Sequence, residues 1–284
     1  MSTLKSLVAA ASTAYDRVVT PPPGITVLIY HQVGGGTDSA VDLPPEAFDR
    51  QLEHLREHHR VLTLDQAVDE LRTGQPSGWE TAADGPSGPA HDGRRGVVIT
   101  FDDGTADFGD VVVPALVRHE LPATLYVATK FVDEREPLPW GAPPVDWQAL
   151  RDAASTGLIT LGSHTHSHWL LDRLDRDTID DDLDRSIELL AEHTTTRPHH
   201  FAYPKAVPGS PTAEIAVRRR FDSAALAANR VNRIGRTDVH RLWRTPIQRT
   251  DDASSFACKA DGGYRLEGEL RSATARVRYR NAVR

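Results

Sequence analysis

An α/β fold of parallel strands, of the barrel kind, is what this chain predicts, and three observations carry the prediction. Apolar, β-branched runs alternate with segments of helical periodicity, so each strand is followed by a crossover that returns the chain parallel to it. A length of 284 residues suits one α/β barrel. Reactive side chains gather where the predicted strands stop, and a parallel barrel brings those ends to one mouth.

The elements follow in order. Residues 1–24 read as an N-terminal extension to a single domain spanning 25–284. Within the extension, Leu4 to Tyr15 reads as a short amphipathic helix: its apolar run is brief and Tyr15-Asp16-Arg17 follows at once, which makes a poor signal peptide. Thr20-Pro21-Pro22-Pro23-Gly24 breaks it from Ile25–His31, a buried strand that ends before Gly34-Gly35-Gly36. Phe48, Leu52 and Leu55 recur at helical spacing between Pro45 and Arg60. Val61–Leu64 is a short strand and Leu64–Leu71 a second helix. Residues 74–95, rich in glycine, proline, serine and alanine without periodicity, read as a flexible surface insertion. Gly96–Phe101 is the next strand, then helix Val111–Glu120, strand Ala123–Ala128 and helix Asp146–Ser155. Strand Leu158–Gly162 precedes a long helix over Asp175–Glu192. A short strand at His200–Tyr203, a helix at Ala213–Arg220, and late strands at Asp222–Leu226 and Trp243–Ile247 complete the pattern.

Hydrophobic content of 39% is enough for one core at this length, and a net charge of −7 argues against nucleic acid as a partner. No run approaches a membrane span. The one cysteine, Cys258, permits no intrachain disulfide and fits a reducing compartment, so the expected location is cytoplasmic, with cell surface or secretion the alternative. The arginines between Leu270 and Arg284 read as a solvated helix face, or less directly as a contact for anionic lipid or charged glycan.

Four predicted strand ends carry chemistry: Tyr30-His31, Asp102-Asp103, His164 with His168, and Tyr203-Pro204. One carboxylate and two imidazoles make a compact site for a divalent metal with open positions, and the second carboxylate is left to handle a proton. Singly, Asp-Asp-Gly is a common turn and two histidines four apart a common surface pair, as His54, His58 and His59 are expected to be. Convergence on one mouth is what favours the site.

From Ile25 to about Gly263 the chain resembles the polysaccharide deacetylases, the NodB-homology domain of carbohydrate esterase family four. Thr100-Phe101-Asp102-Asp103-Gly104 resembles the family's first motif, His164-Thr165-His166-Ser167-His168 its second, and Phe201-Ala202-Tyr203-Pro204-Lys205 a variant of its third. The opening Leu28-Ile29-Tyr30-His31-Gln32-Val33 is similar to the branch acting on exopolysaccharides. The resemblance implies a distorted barrel of about seven strands that removes an N-acetyl group from an amino sugar. It assigns the metal, zinc by default, to Asp103, His164 and His168, and the general base to Asp102. The backbone N–H of Lys205 would share the developing negative charge. For the general acid it offers His31 or His240, and His31 is preferred because it ends a strand. Substrate contacts are expected from Tyr203, Pro204, Lys205 and Arg244.

Two departures stand out. Ala202 replaces the arginine that orients the base in much of the family, and Arg244 is the candidate substitute. Lys205 replaces a frequent aromatic, leaving Trp140, Trp147, Trp169 and Trp243 as possible sugar platforms. The implied partner is an N-acetylated saccharide or glycolipid. The same machinery could cleave another amide or an O-acetyl ester, and a non-catalytic carbohydrate-binding protein could retain the fold.

Overall fold

The computed structural model describes residues 20–75, 93–265 and 267–268. The expected N-terminal helix, most of the 74–95 insertion and the arginine-rich tail lie outside them. The described residues form ten strands: β1 (Ile25–Tyr30), β2 (Gln32–Val33), β3 (Asp42–Leu43), β4 (Arg60–Val61), β5 (Gly96–Phe101), β6 (Ala123–Val127), β7 (Ile159–Ser163), β8 (His200–Ala202), β9 (Ser223–Ala227) and β10 (Leu242–Pro246). Hydrogen bonding runs β1-β10-β9-β8-β7-β6-β5, and β5 pairs back onto β1. The result is a closed barrel of seven parallel strands, the architecture the resemblance implies.

The distortion sits at β5. One edge pairs with β1 over its whole length, from Ile25↔Gly96 to Tyr30↔Phe101. On the other edge β6 reaches only Thr100 and Phe101, and β4 fills the vacated end at Gly96 and Val97. The small β2–β3 ladder, which no sequence pattern announced, lies above the barrel just after His31.

Strands buried on both faces read as unbroken apolar runs, because helices cover the outside. Val27, Val98, Tyr126, Ala202, Ala225 and Leu242 point inward. Leu28, Tyr30, Ile99, Phe101 and Leu125 point outward beneath helices α1 (Pro45–His58) and α3 (Val113–His119). Between these helices lies α2 (Leu64–Thr73), and α4 (Thr129–Glu134), α5 (Trp147–Ser155), α6 (Arg176–Thr194), α7 (Pro211–Arg220) and α8 (Ala253–Ala260) follow. Thr63, Asp146, Asp175 and Ser210 cap their helices by accepting a backbone N–H, which marks those starts in the sequence. The helix expected at Val111 instead begins with a π turn at Phe108–Val112, where the Val113 N–H donates back to Phe108. Pro114 has no N–H for the ordinary ladder, so the turn widens ahead of it. Helices α4 and α8 are short and lack a long apolar period, so they were not anticipated. Among the described residues no helix is long and apolar enough to cross a membrane.

Small residues leave room inside the barrel. A Cβ on Gly162 would stand 2.6 Å from the Tyr126 ring, so only glycine fits opposite that tyrosine. Ala202 and Ala225 keep the next layer open, and the Arg244 side chain fills it with Cζ 5.1 Å from the Tyr126 ring centroid.

Candidate active site

Two strand ends build the centre. Asp102 and Asp103 follow β5, and His164 follows β7 with His168 one tight loop further on. Asp103, His164 and His168 each offer a ligand atom, all within 4.8 Å of one another. Asp103 Oδ1 lies 3.4 Å from His164 Nε2 and 3.3 Å from His168 Nε2. Those separations match the edges of a tetrahedron around an ion bonded at about 2.0–2.1 Å.

The donors are also chemically prepared. His164 Nδ1–H donates to the Ala202 carbonyl at 2.7 Å, which leaves the Nε2 lone pair facing the carboxylate. Asp103 is buried, and burial pushes its pKa up, but the adjoining His164 and His168 rings win and hold it well below the ordinary carboxylate range. Asp102 is buried too, and there the Arg244 charge overcomes burial and lowers its pKa. Because Arg244 neutralises Asp102, the remaining cluster is one carboxylate and two imidazoles with an uncompensated negative charge. A buried charge of that kind calls for a cation. Two nitrogens and one oxygen suit zinc, and also iron, cobalt, nickel or manganese.

Arg244 is fully buried and forks onto Asp102, with Nη1–Oδ1 at 2.5 Å and Nη2–Oδ2 at 2.8 Å. Its Nε donates to the Leu226 carbonyl at 3.2 Å and Nη1 also to Thr100 Oγ1 at 3.3 Å. Expected both as a substrate contact and as the substitute for the missing arginine, it stands in the second place, an internal partner of Asp102. Tyr203 is likewise turned away: Phe201 and Tyr203 project outward from β8 into the helical layer, while Ala202 between them faces the barrel. Pro204 is buried, and Lys205 is exposed at the barrel mouth with a left-handed φ of 53°.

The two histidines proposed as acid lie at opposite ends of the barrel. His31 follows β1 on the side of the metal ligands, near enough for its charge to act on Asp102 and Asp103. Its Nδ1 is buried and without a partner among the described residues. His240 precedes β10 at the barrel's other end, where its Nε2–H donates to the Phe221 carbonyl at 2.8 Å. Of the tryptophans, Trp140 is exposed with its ring centroid 6.4 Å from that of His168. Trp147 stacks on His193, and Trp243 lies under Arg230.

The histidine loop is strained and clamped. Thr165 and His168 both adopt positive φ, at 68° and 60°, as does Asp103 at 75°. Asp182, buried on α6, accepts from the His166 N–H at 3.1 Å and the Ser167 N–H at 2.9 Å. Thr165 Oγ1 accepts from the His168 N–H at 2.8 Å, and Ser186 meets Ser163 at 2.8 Å. Asp182 and Ser186 were not anticipated, yet a signal existed. They interrupt the apolar stripe Ile179, Leu183, Ile187, Leu190 on the buried face of α6. Asp182→Asn replaces one acceptor of this clamp by a donor, so metal affinity is expected to fall roughly 10–100-fold. Competition against a chelator reads this directly, and unchanged affinity would make the clamp merely structural.

Residues 90–221, the span holding both aspartates and both histidines, match the family described as Polysaccharide deacetylase. The deacetylase PplD of Streptococcus pyogenes superposes with a TM-score of 0.70 at 20% identity, covering 84% of this chain and 99% of that one. IcaB from Ammonifex degensii gives 0.69 at 23% identity, covering 84% and 97%. A polysaccharide deacetylase from Bacillus cereus gives 0.66 at 18% identity, covering 84% and 69%. At these identities the likeness is one of fold. No curated protein matches the chain. The resemblance carried by the motifs is borne out.

Proposed function

Taking a polysaccharide deacetylase domain over residues 90–221 as the premise, we propose that this chain is a metal-dependent hydrolase that removes the N-acetyl group from an amino sugar of a saccharide or glycoconjugate. The observation that carries the reading is the buried Asp102–Arg244 pair set beside Asp103, His164 and His168. A carbohydrate-binding protein would have no use for an oriented, ionised carboxylate next to a cation site.

Asp103, His164 and His168 would hold a divalent ion, which when bound would supply Lewis acidity for the acetyl carbonyl and the attacking water. Asp102 takes the proton of the attacking water. Arg244 holds both of its oxygens in one plane and keeps it ionised. Lys205, in the turn Pro204–Ala206 that follows β8, is the residue whose backbone N–H would share the developing negative charge. His31, at the end of β1 beside the β5 end that carries Asp102, delivers a proton to the departing amine. Trp140, at the rim beside His168, offers an apolar face for a sugar ring.

His31→Gln is expected to lower turnover about 10²–10⁴-fold, the usual worth of a positioned acid, with KM little changed. His240→Gln, at the far end, is expected to leave turnover within about twofold, since surface changes distant from a site are small effects. The reverse ranking would exchange the two roles. The reading as a whole is tested by acetate release from metal-loaded protein over N-acetylated and O-acetylated saccharides. Release from the N-acetylated members that requires added metal supports it. Silence across the panel with metal bound, or release from the esters alone, overturns it.

A further inference from the structure

The opposite end of the barrel carries a second concave surface, on the segment joining β9 to β10. A cleft of about 380 Å³ is lined there by Arg230, Arg233, Arg236 and Arg241 together with Asp238 and Trp243. Its position is fixed by Asn232, which exchanges backbone hydrogen bonds with Ile25 at the start of β1. The metal ligands stand beyond the other ends of the strands, so the cleft is separate from the active site.

The segment is built to hold its shape. Asn232 is buried, accepts from the Trp243 N–H at 2.9 Å and donates to the Trp243 carbonyl at 2.8 Å. The Arg233 N–H donates to Thr237 Oγ1 at 2.7 Å, while the N–H groups of Arg236 and Thr237 both donate to the Arg233 carbonyl, at 3.1 and 2.9 Å. Arg233 and Arg236 therefore share one tight turn.

The acids nearby are already committed. Asp238 is held by Arg218, and Glu214 by Arg241. Arg241 keeps a buried Nε with no acceptor. Arg233 and Arg236 are exposed and make no ion pair with the described residues. In a chain of net charge −7, Arg233 and Arg236 bring two guanidinium groups without an ion pair among the described residues to a cleft whose Arg241 is already paired, a local concentration of like charge. Such repulsion costs stability unless an anion relieves it. One carboxylate occupies one guanidinium fork, whereas phosphoryl groups present enough oxygens for several.

We infer that this cleft is a second binding site, for a ligand carrying a diphosphate or two neighbouring phosphoryl groups. Arg233 and Arg236 bracket the phosphoryl oxygens, and Arg241, bonded to Glu214 in the cleft wall, adds positive charge beside them. The site works independently of Asp102 and its neighbours.

Titration calorimetry of the full chain with inorganic pyrophosphate tests the inference. Wild type is expected to bind at one saturable site. The double variant Arg233→Gln/Arg236→Gln is expected to bind about tenfold more weakly or worse, and Arg233→Lys/Arg236→Lys to recover only part, because ammonium groups lack the fork. Acetate release should be unchanged in both variants and the melting temperature of the glutamine variant no lower than wild type, which separates a failure here from a failure of the deacetylase reading. No heat with wild type, or equal binding by the variants, overturns the site. Binding of phosphatidylglycerol vesicles without binding of pyrophosphate overturns it as well, in favour of contact with a bilayer surface.

Discussion

Asp102→Asn is expected to reduce acetate release about 10²–10⁴-fold while leaving metal stoichiometry intact. An amide cannot accept the proton of the attacking water, yet among the described residues the Asp102 side chain hydrogen-bonds to Arg244 and not to Asp103, His164 or His168. The substitution has a second consequence. Arg244 is fully buried and its charge is answered by Asp102, so a neutral partner leaves a buried cation uncompensated. Breaking such a pair costs about 3–5 kcal/mol, eased here because asparagine keeps one acceptor oxygen. Turnover at saturating substrate, bound metal and melting temperature should therefore be measured together. Metal bound with turnover lost identifies the base, and wild-type turnover in a metal-loaded variant would remove Asp102 from that role.

Much of this site was legible because strand ends and reactive side chains coincide in the chain. The runs Gly96–Phe101 and Leu158–Gly162 are apolar and β-branched, so their ends could be located, and Asp102-Asp103 and His164 stand just there. What was not legible depends on which face a residue takes. Tyr203 reads as a site residue by its motif, but alternation along β8 puts Ala202 inside and Tyr203 outside, and that phase is fixed only when the barrel closes. Arg244 was nameable as the substitute for the arginine missing at position 202, but its contact with Asp102 depends on the same closure. Ala202, Ala225 and Gly162 give up volume inside the barrel, and a side chain from a strand far along the sequence uses it. No local pattern joins position 244 to position 102. Asp182 is an intermediate case, since its place on the apolar stripe of α6 marked it as a buried polar group without naming its partners.

Arg244→Met is expected to be the most damaging single change to stability. It strands the Asp102 carboxylate in a buried site next to a second one, at a cost of about 3–5 kcal/mol. For a domain of this size that corresponds to a fall in melting temperature on the order of 10 °C. The catalytic effect has its own sign. Arg244 lowers the Asp102 pKa, so its removal raises that pKa and shrinks the ionised fraction at any given acidic pH. The acid limb of the kcat/KM profile should then move to higher pH, which loss of packing alone would not produce. Arg244→Lys keeps the charge but offers one ammonium where Asp102 meets two parallel N–H groups. It should hold most of the pH profile while losing turnover, because the carboxylate is no longer fixed in plane. The double variant Asp102→Asn/Arg244→Met supplies the decisive comparison. With both charges gone, it should melt above Arg244→Met alone, since a buried ion pair replaced as a unit is often neutral whereas half of one is costly. If the double variant instead melts at the sum of the two single losses, the residues are not coupled. Arg244 would then be a packing residue that happens to touch the base.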